Sequence, residues 1–390
     1  MQITLNTDND NNDDDVLNVC CEADTKWLVS YRDKLYGAFY ARAAGCTLGA
    51  PVEGWTSTRM ENYAAQLGVT FPLTDYWPDT PTPNVIRYLE ESMPNYLKGN
   101  ITRVPCDDDI GYVLLSLFIV EESPRKRDFT TEDVANSWLK YITVCFTAEE
   151  VALRNLKRGI SWDKAAEVDN SFDEWIGADI RCDGYAYINP GDPKTAADMA
   201  ERDALISHRD NGVYGSRYFA AVIADAFTSS NIKQSLFRGL DFIPQTCELS
   251  EGLRWALDLW DSVDNYKNAM QLVDKRYPDM AFVHTINNAC LTVFALALGG
   301  EDISKIIANA VAMAHDCDCT AATAGSIAGA TYGLKKLDPK WYTSFNNKVG
   351  SYFNGEKEYF ISDILTRFEK IANLNPNPQQ KNKNQTTENI

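Results

Sequence analysis

The sequence lacks the features that would place it in a membrane, outside the cell or among small metal-binding modules. No apolar run approaches the roughly 18 residues that a membrane-spanning helix needs. The ten cysteines are scattered and form no Cys-x-x-Cys pair, so the thiols are expected to be reduced rather than arranged as a disulfide framework. Residues 1–15 are rich in Asp and Asn and contain neither the apolar core nor the Arg-rich stretch of a targeting segment. We therefore expect a cytoplasmic protein.

Basic residues are also scarce. The 390-residue chain has 37 basic against 55 acidic side chains and a formal net charge of -18, and we expect no local basic patch on its surface. Such a surface repels phosphate backbones, so nucleic acid and anionic membranes are not expected partners. An anionic ligand would need help from metal ions or helix N-termini.

Helical periodicity dominates what is present. With 45% hydrophobic and 11% aromatic residues the chain can build a large core, whereas strand-like alternation is almost absent. The sequence predicts an all-α protein with one domain at 25–372, disordered polar tails at 1–24 and 373–390, and an irregular surface excursion at 69–104. Apolar residues at three and four spacing predict helices over 31–48, 110–121, 131–141, 195–206, 214–227, 247–273, 287–298, 303–314 and 320–334.

Three segments combine small residues with carboxylates. The first is a Gly- and Ala-lined helix that should stop near Gly49 and Pro51 and deliver Glu53 just past its end. Taken alone, this pattern also fits a close-packed helix followed by an exposed Glu.

The second segment places three acids, Asp107, Asp108 and Asp109, before a strongly apolar helix. One acid suffices to cap a helix, whereas three adjacent carboxylates repel one another. A hard divalent cation such as Mg2+ is the natural counter-charge, because it takes oxygen ligands and few protein carboxylates.

The third segment, Ala314 to Gly333, opens with Asp316 and Asp318. In a non-helical turn both side chains can converge on one point. The helix that follows has small residues at almost every position, so either another backbone or a ligand approaches it closely. The His/Cys/Asp mix is too tightly spaced for a zinc site.

Together, GCTLGAPVEG, CDDDIGY and HDCDCTAATAGSIAG resemble the three motifs of the ADP-ribosylglycohydrolase family, in the correct order over roughly residues 34–334. The resemblance implies a compact orthogonal helical bundle around a binuclear site holding two Mg2+ ions, for which Mn2+ can substitute. Its activity would be hydrolysis of an N- or O-glycosidic bond at the C1'' ribose carbon of an ADP-ribosyl group.

Carried over residue by residue, the resemblance implies metal ligands at Asp107, Asp108, Asp109, Asp316, Asp318 and Cys319, and catalytic roles for Glu53, Asp108 and Asp318. The first acidic motif is open in register between Cys106-Asp107-Asp108 and Asp107-Asp108-Asp109, and the latter is preferred. Cys319 stands where the family usually has a coordinating Thr. Because a neutral thiol is a poor Mg2+ ligand, Thr320, water or a more Mn2+-tolerant second site are alternatives.

The central region, 175–193 and 207–215, resembles one branch of the family. Ala314-His315 replaces a Gly-Gly pair, which narrows the approach to the ligand. For His208 a structural hydrogen bond is slightly favoured over a functional role. The candidate substrate-binding residues are Gly177, Tyr185, Gly191, His208, Asn211, Gly212, Tyr214 and His315.

The predicted substrate is an ADP-ribosylated protein or small ADP-ribosyl compound, with arginine-linked mono-ADP-ribose favoured because the charge of -18 disfavours a long polyanion. A monomer is expected. Two alternatives stay open: a metal-dependent hydrolase of another glycoside or nucleotide, and an inactive ADP-ribose-binding or structural relative. The retained acids favour activity.

Overall fold

The computed structural model describes residues 13–79 and 93–373, and the side chains of 26–79 and 94–372. Helices dominate these residues, as predicted, and the all-α class is confirmed. No helix among them is both long and apolar enough to cross a membrane. The helices are α1 Asp13–Gly49, α2 Ser57–Leu67, α3 Asp108–Glu122, α4 Thr131–Tyr141, α5 Thr147–Lys157, α6 Asp183–Tyr187, α7 Pro193–Ala204, α8 Asp210–Ala226, α9 Ile232–Gly239, α10 Glu248–Asp258, α11 Tyr266–Arg276, α12 Thr285–Gly299, α13 Ile303–Ala312, α14 Cys317–Tyr332 and α15 Ile361–Asn373.

Two short antiparallel strands, β1 Lys348–Gly350 and β2 Glu358–Phe360, precede α15. Short 3-10 turns join several helices, among them Ala50–Val52, Ile176–Arg181, Leu334–Lys336 and Pro339–Trp341. Polar caps fix many helix starts: Thr130 and Asp133, for example, form a reciprocal capping box at the start of α4.

The centre of the fold is the contact between α1 and α14. Every residue of α14 from Cys317 to Thr331 is buried. A Cβ atom at Gly45 would overlap the backbone of Ala321, and one at Gly325 would overlap the backbone of Ala41. The small residues of α14 therefore serve backbone packing, the first of the two alternatives that the sequence left open.

Several boundaries differ from the prediction. The backbone of 13–24, assigned to a disordered tail, belongs to α1. The single helix predicted over 247–273 is two helices, since Asn265 caps a new one after the break at 259–265. Residues 1–12, 80–92 and 374–390 lie outside the described residues.

The segment 69–104 is not simply a surface excursion. Tyr76, Trp77 and Tyr96 are buried, and the Trp77 indole donates a hydrogen bond of 3.2 Å to the Leu48 carbonyl. Part of this segment therefore packs over the C-terminal end of α1.

Candidate metal centre

Carboxylates from three parts of the chain meet at the joined ends of α1, α3 and α14. Glu53 follows the 3-10 turn at the end of α1, Asp107 caps α3, and Asp316 and Asp318 open α14. Ligand atoms lie within 4.8 Å of one another in three groups: Glu53, Asp316 and Asp318; Asp109, Asp318 and Cys319; and Cys46, Asp107 and Asp109. Because Asp318 and Asp109 are shared, the groups form one continuous acid cluster.

Local structure explains the convergence. Asp316 occupies the position before α14, and Asp318 lies in the first turn, rather than both lying in a turn as the sequence predicted. Asp107 accepts a hydrogen bond of 3.2 Å from the Asp109 backbone N–H. The N-terminal ends of α3 and α14 face the acid cluster, where their dipoles favour negative charge.

Burial and mutual repulsion raise the pKa values of carboxylates in the acid cluster. Burial raises the pKa of Asp109 well above its usual range, with Arg42 opposing and the charges of Asp107 and Asp318 adding to the shift. Burial also raises the pKa of Asp316, helped by Asp318 and Glu53.

The donor set fits a divalent cation. Asp316 sits at the cap position of α14 yet makes no capping hydrogen bond, and its Oδ1 atom is buried without a hydrogen-bond partner. A buried carboxylate oxygen of this kind normally has a partner. Several carboxylate oxygens around it are the ligands that hard cations prefer.

Arg42 is a buried cation in contact with the acid cluster, and the sequence analysis did not identify it. Its fully buried guanidinium lies 3.2 Å from Asp109 and 2.9 Å from Asp183, and donates to the Asp109 and Ile180 carbonyls. One permanent positive charge thus neutralises part of the cluster and ties α1 to α3. Its position inside a Gly- and Ala-rich helix was the available sequence signal.

Two thiols border the cluster. Cys319 donates a hydrogen bond of 3.2 Å to Asp109 Oδ2, and burial raises its pKa well above the usual value. The Thr320 hydroxyl donates to the Cys317 carbonyl of its own helix. Cys46 lies beside Asp107 and Asp109, a neighbour that only the tertiary contact reveals.

Asp108 occupies the rim. It is half-buried and belongs to none of the three groups. Its charge nevertheless raises the pKa of Cys319 and of Tyr352, so it lies close to the cluster. In the alternative register Cys106 would be a ligand, but its thiol lies against the Cα region of Gly350.

A cavity of about 330 Å³ opens beside Glu53. His315 is the one predicted substrate-binding residue in its wall, and its Nε2 atom lies 2.8 Å from Asp274 Oδ1. The sequence analysis missed the other prominent wall residues, although an aromatic two positions after Glu53 was a usable signal. These are Trp55, Met270, Asp274 and Phe282.

Ala314 and His315 both adopt left-handed backbone angles, with φ of 64° and 59°. Two consecutive side chains in this region cost about 1–2 kcal/mol each. The Gly-Gly pair of the resembling motif would avoid that cost. The contact of His315 with Asp274 on α11 helps to hold the strained turn.

The structure places several other predicted substrate residues in packing roles. Tyr185 is fully buried, stacks on Phe129 and donates to Asp203, contrary to the polar loop expected around it. His208 is fully buried beside Ser207, at 2.8 Å, and burial followed by the charge of Arg181 lowers its pKa well below the usual value.

The remaining predicted substrate residues also line no wall of the cavity beside Glu53. Gly177 and Gly212 allow close contact with the Glu149 carboxylate and the Asp173 backbone, and Gly191 has a positive φ of 75° before α7. Asn211 bridges Glu174 and the Leu249 backbone. Tyr214 is half-buried on α8. The central region therefore builds the scaffold behind the acid cluster.

The family is shown by comparison with known proteins. The ADP-ribosylglycohydrolase family model matches residues 28–371. The match covers most of the chain, so the chain belongs to the ADP-ribosylglycohydrolase family. Membership supports a glycohydrolase acting on ADP-ribose-type substrates, in a family that is typically metal-dependent.

Among solved structures, one described as an ADP-ribosylglycohydrolase-related protein complex superposes with a TM-score of 0.52 at 18% sequence identity. The superposition covers 88% of this chain and 98% of that chain. At this identity the likeness shows the fold alone. No curated protein matches the chain.

Proposed function

We propose that the protein is a Mg2+-dependent hydrolase that cleaves the glycosidic bond at C1'' of ADP-ribosyl groups and removes mono-ADP-ribose from protein side chains. The observation that carries the proposal is the convergence of Glu53, Asp109, Asp316 and Asp318 from separate helix ends. A site built only for packing would not bury so many carboxylates together.

The acid cluster supplies the ligands and the base. When bound there, two divalent cations would supply positive charge that orients ribose hydroxyls and water. Asp107, Asp109, Asp316 and Asp318 would hold them, with Cys319 at the edge of the second position and Mn2+ as a substitute. Asp108 on the rim is a further ligand candidate.

Glu53 is the favoured general base. Its carboxylate belongs to the acid cluster, and the next residue along the chain, Gly54, lies in the cavity wall. It would take a proton from the attacking water while the water oxygen bonds to C1'' and the bond to the leaving nitrogen or oxygen breaks. The leaving group recovers a proton, so a sugar hydroxyl and a free side chain result.

The favoured substrate is arginine-linked mono-ADP-ribose. The cavity is of modest size, at about 330 Å³, and the net charge of -18 disfavours a long polyanionic polymer. We also propose that the protein acts as a monomer in the cytoplasm, without nucleic acid or membrane partners.

The test is to incubate the protein and Mg2+ separately with arginine-linked mono-ADP-ribose, serine-linked mono-ADP-ribose and poly-ADP-ribose, and to quantify free ADP-ribose by chromatography. Release from the arginine-linked substrate, lost in Glu53→Gln, is expected. Release only from the polymer would overturn the substrate assignment. Release from none would favour a hydrolase of another glycoside or nucleotide, or an inactive relative.

A further inference from the structure

A second and larger cavity lies away from the acid cluster. Its volume is about 570 Å³, within the roughly 300–1,000 Å³ of small-molecule sites. The wall combines the loop after α2, residues 304–309 of α13 and the two 3-10 turns after α14. We name it the lysine cavity after its charged wall residues, Lys305, Lys335, Lys336 and Lys340, which face only Asp302 and Asp338 of opposite charge.

The lysine cavity is distant from the acid cluster because of how α13 and α14 run. The two helices pack together and are joined by the short segment 313–316, so they are antiparallel. The acids lie at this connection. At about 1.5 Å per residue, the start of α13 is about 15 Å away and the end of α14 about 24 Å away. A phosphate held by Lys335 and Lys336, just past the end of α14, is therefore remote from the water that Glu53 would activate.

The local charge is opposite to that of the whole chain. Lys340 lies 3.0 Å from Asp338 and Lys305 lies 3.8 Å from Asp302. Lys335 and Lys336 are exposed and form no ion pair with any residue in the described part of the chain. Because charges beyond about 10 Å are largely screened in salt, these lysines set the potential inside the cavity despite the net charge of -18.

The rest of the wall suits a small organic molecule that carries phosphate. Leu73, Ala308 and Leu337 are buried and apolar, whereas Ser304 and Asn309 offer hydrogen-bonding groups. A neighbouring cavity of about 400 Å³ shares Lys340 and adds Lys98, which forms an ion pair of 2.7 Å with Asp75. Lysine ammonium groups bind phosphates as point charges.

We infer that the lysine cavity binds a phosphate-bearing ligand of nucleotide size, at a site separate from the acid cluster. The two free charges of Lys335 and Lys336 hold the phosphate, and the apolar residues contact the organic part. The inference does not depend on hydrolysis at the other site.

The test uses the full chain in metal-free buffer at about 0.1 M salt, where the Debye length is about 10 Å, with inorganic pyrophosphate, ATP and adenosine as separate titrants in calorimetry. Pyrophosphate and ATP should bind and adenosine should bind much more weakly. The double charge reversal Lys335→Glu/Lys336→Glu should weaken both by at least about tenfold, since each bound phosphate loses two attractive charges. Binding should also weaken as salt is added.

The matched control is Lys157→Glu/Arg158→Glu, an adjacent exposed basic pair at the end of α5 with the same charge change. It should alter binding less than about twofold, because screening confines the effect of distant charges. Asp338→Asn keeps a capping side chain while releasing Lys340, so it should tighten pyrophosphate binding several-fold. A gain of this kind cannot come from misfolding.

Three results would overturn the inference. One is no detectable binding of pyrophosphate or ATP to the wild-type protein at millimolar concentration. Another is equal weakening by the Lys335/Lys336 and the Lys157/Arg158 variants, which would show a general charge effect. The third is binding of ATP without binding of pyrophosphate, because the lysines are assigned to the phosphate.

Discussion

At the scale of single residues, the site combines oxygen ligands with two thiols and one buried guanidinium. Asp316 and Asp318 carry negative charge toward Glu53, while Asp109 is balanced on one side by Arg42 and on the other by the Cys319 thiol. The two sides of the acid cluster are therefore not equivalent. Asp316 has a buried carboxylate oxygen without a hydrogen-bond partner, whereas the carboxylate of Asp109 is bonded by Arg42 and Cys319.

The first prediction concerns the acids themselves. Asp318→Asn and Asp108→Asn should each abolish turnover while leaving helix content unchanged, because they remove charge at helix starts and few packing atoms. Activity assays and circular dichroism check this, with Asp302→Asn at the start of α13 as the control cap. Retained activity in both variants would show that the chemistry lies elsewhere. Loss of activity in Asp318→Asn alone would show that turnover does not require Asp108.

The second prediction concerns the thiol. Cys319→Thr should strengthen Mg2+ binding relative to Mn2+, since a hydroxyl is a harder donor than a neutral thiol and still bonds Asp109. We expect a several-fold lower Kd for Mg2+ by calorimetry, with Cys317→Ser as the control: Cys317 faces the Gly49 carbonyl instead. An unchanged ratio of the two affinities would remove Cys319 from the ligand set.

Site residues could be predicted from the sequence where several of them are neighbours along the chain. Asp107–Asp109 and Asp316–Asp318 stand out because adjacent acids before an apolar helix need a reason. Trp55 and Phe282 are more than 200 positions apart, and only the packing of α11 and α12 near the end of α1 brings them to one cavity. Tyr185 was predicted to contact the ligand because its sequence neighbours are polar, but the fold buries its side chain.

At the scale of helices, the contact of α1 with α14 sets the spacing of the acids. Gly49 lies against the backbone of Asp318, and Gly329 lies against the backbone of Gly37 at the far end of the same interface. The two contacts differ in their distance to the acid cluster: Gly49 touches a residue of the cluster, whereas Gly329 lies at the opposite end of the interface.

The third prediction uses this pair. Gly49→Ala and Gly329→Ala should both lower the free energy of unfolding by about 1–3 kcal/mol through overpacking, but only Gly49→Ala should weaken Mg2+ binding, because it displaces Asp318 from Glu53. Thermal melting and metal titration of both variants check this. Equal loss of metal binding would mean that α1 and α14 move as a whole.

Helix prediction worked for helices such as α4, which was placed at its observed bounds. Two of the missed helices bury small or polar residues: Ser57 and Ala64 in α2, and Ser235 and Gly239 in α9. Such residues do not register as hydrophobic periodicity. Helix α15 was also missed, although most of its buried side chains, Phe368 among them, are apolar.

At the scale of the whole molecule, charge is distributed unevenly. Three lysines lie within residues 335–340, and the fold adds Lys305 from α13 to the same cavity. The acids gather likewise from positions 53, 107–109 and 316–318. Overall class follows from periodicity, whereas these two regions follow from topology.

The fourth prediction joins metal binding to stability. Because Asp109 and Asp316 have raised pKa values in the fold, the metal-free protein should lose stability as pH rises from the usual carboxyl range through those raised values. Millimolar Mg2+ binds the ionised form, so its increase in Tm should be larger at about pH 8 than at about pH 5.

Thermal melts with EDTA or Mg2+ across this range check the sign, and Asp316→Ala should remove most of the Mg2+ effect. A Tm that does not respond to the ion, in protein shown to be free of metal, would contradict a cation site among these acids.

The glycine contacts between α1 and α14 also bear on how the molecule responds to hydrostatic pressure. Pressure unfolds proteins by eliminating internal voids, and two backbones in direct contact leave almost no void between them. Compression should therefore change the packing of α1 against α14 very little. The spacing of Asp318 from Glu53 should persist until the whole domain gives way.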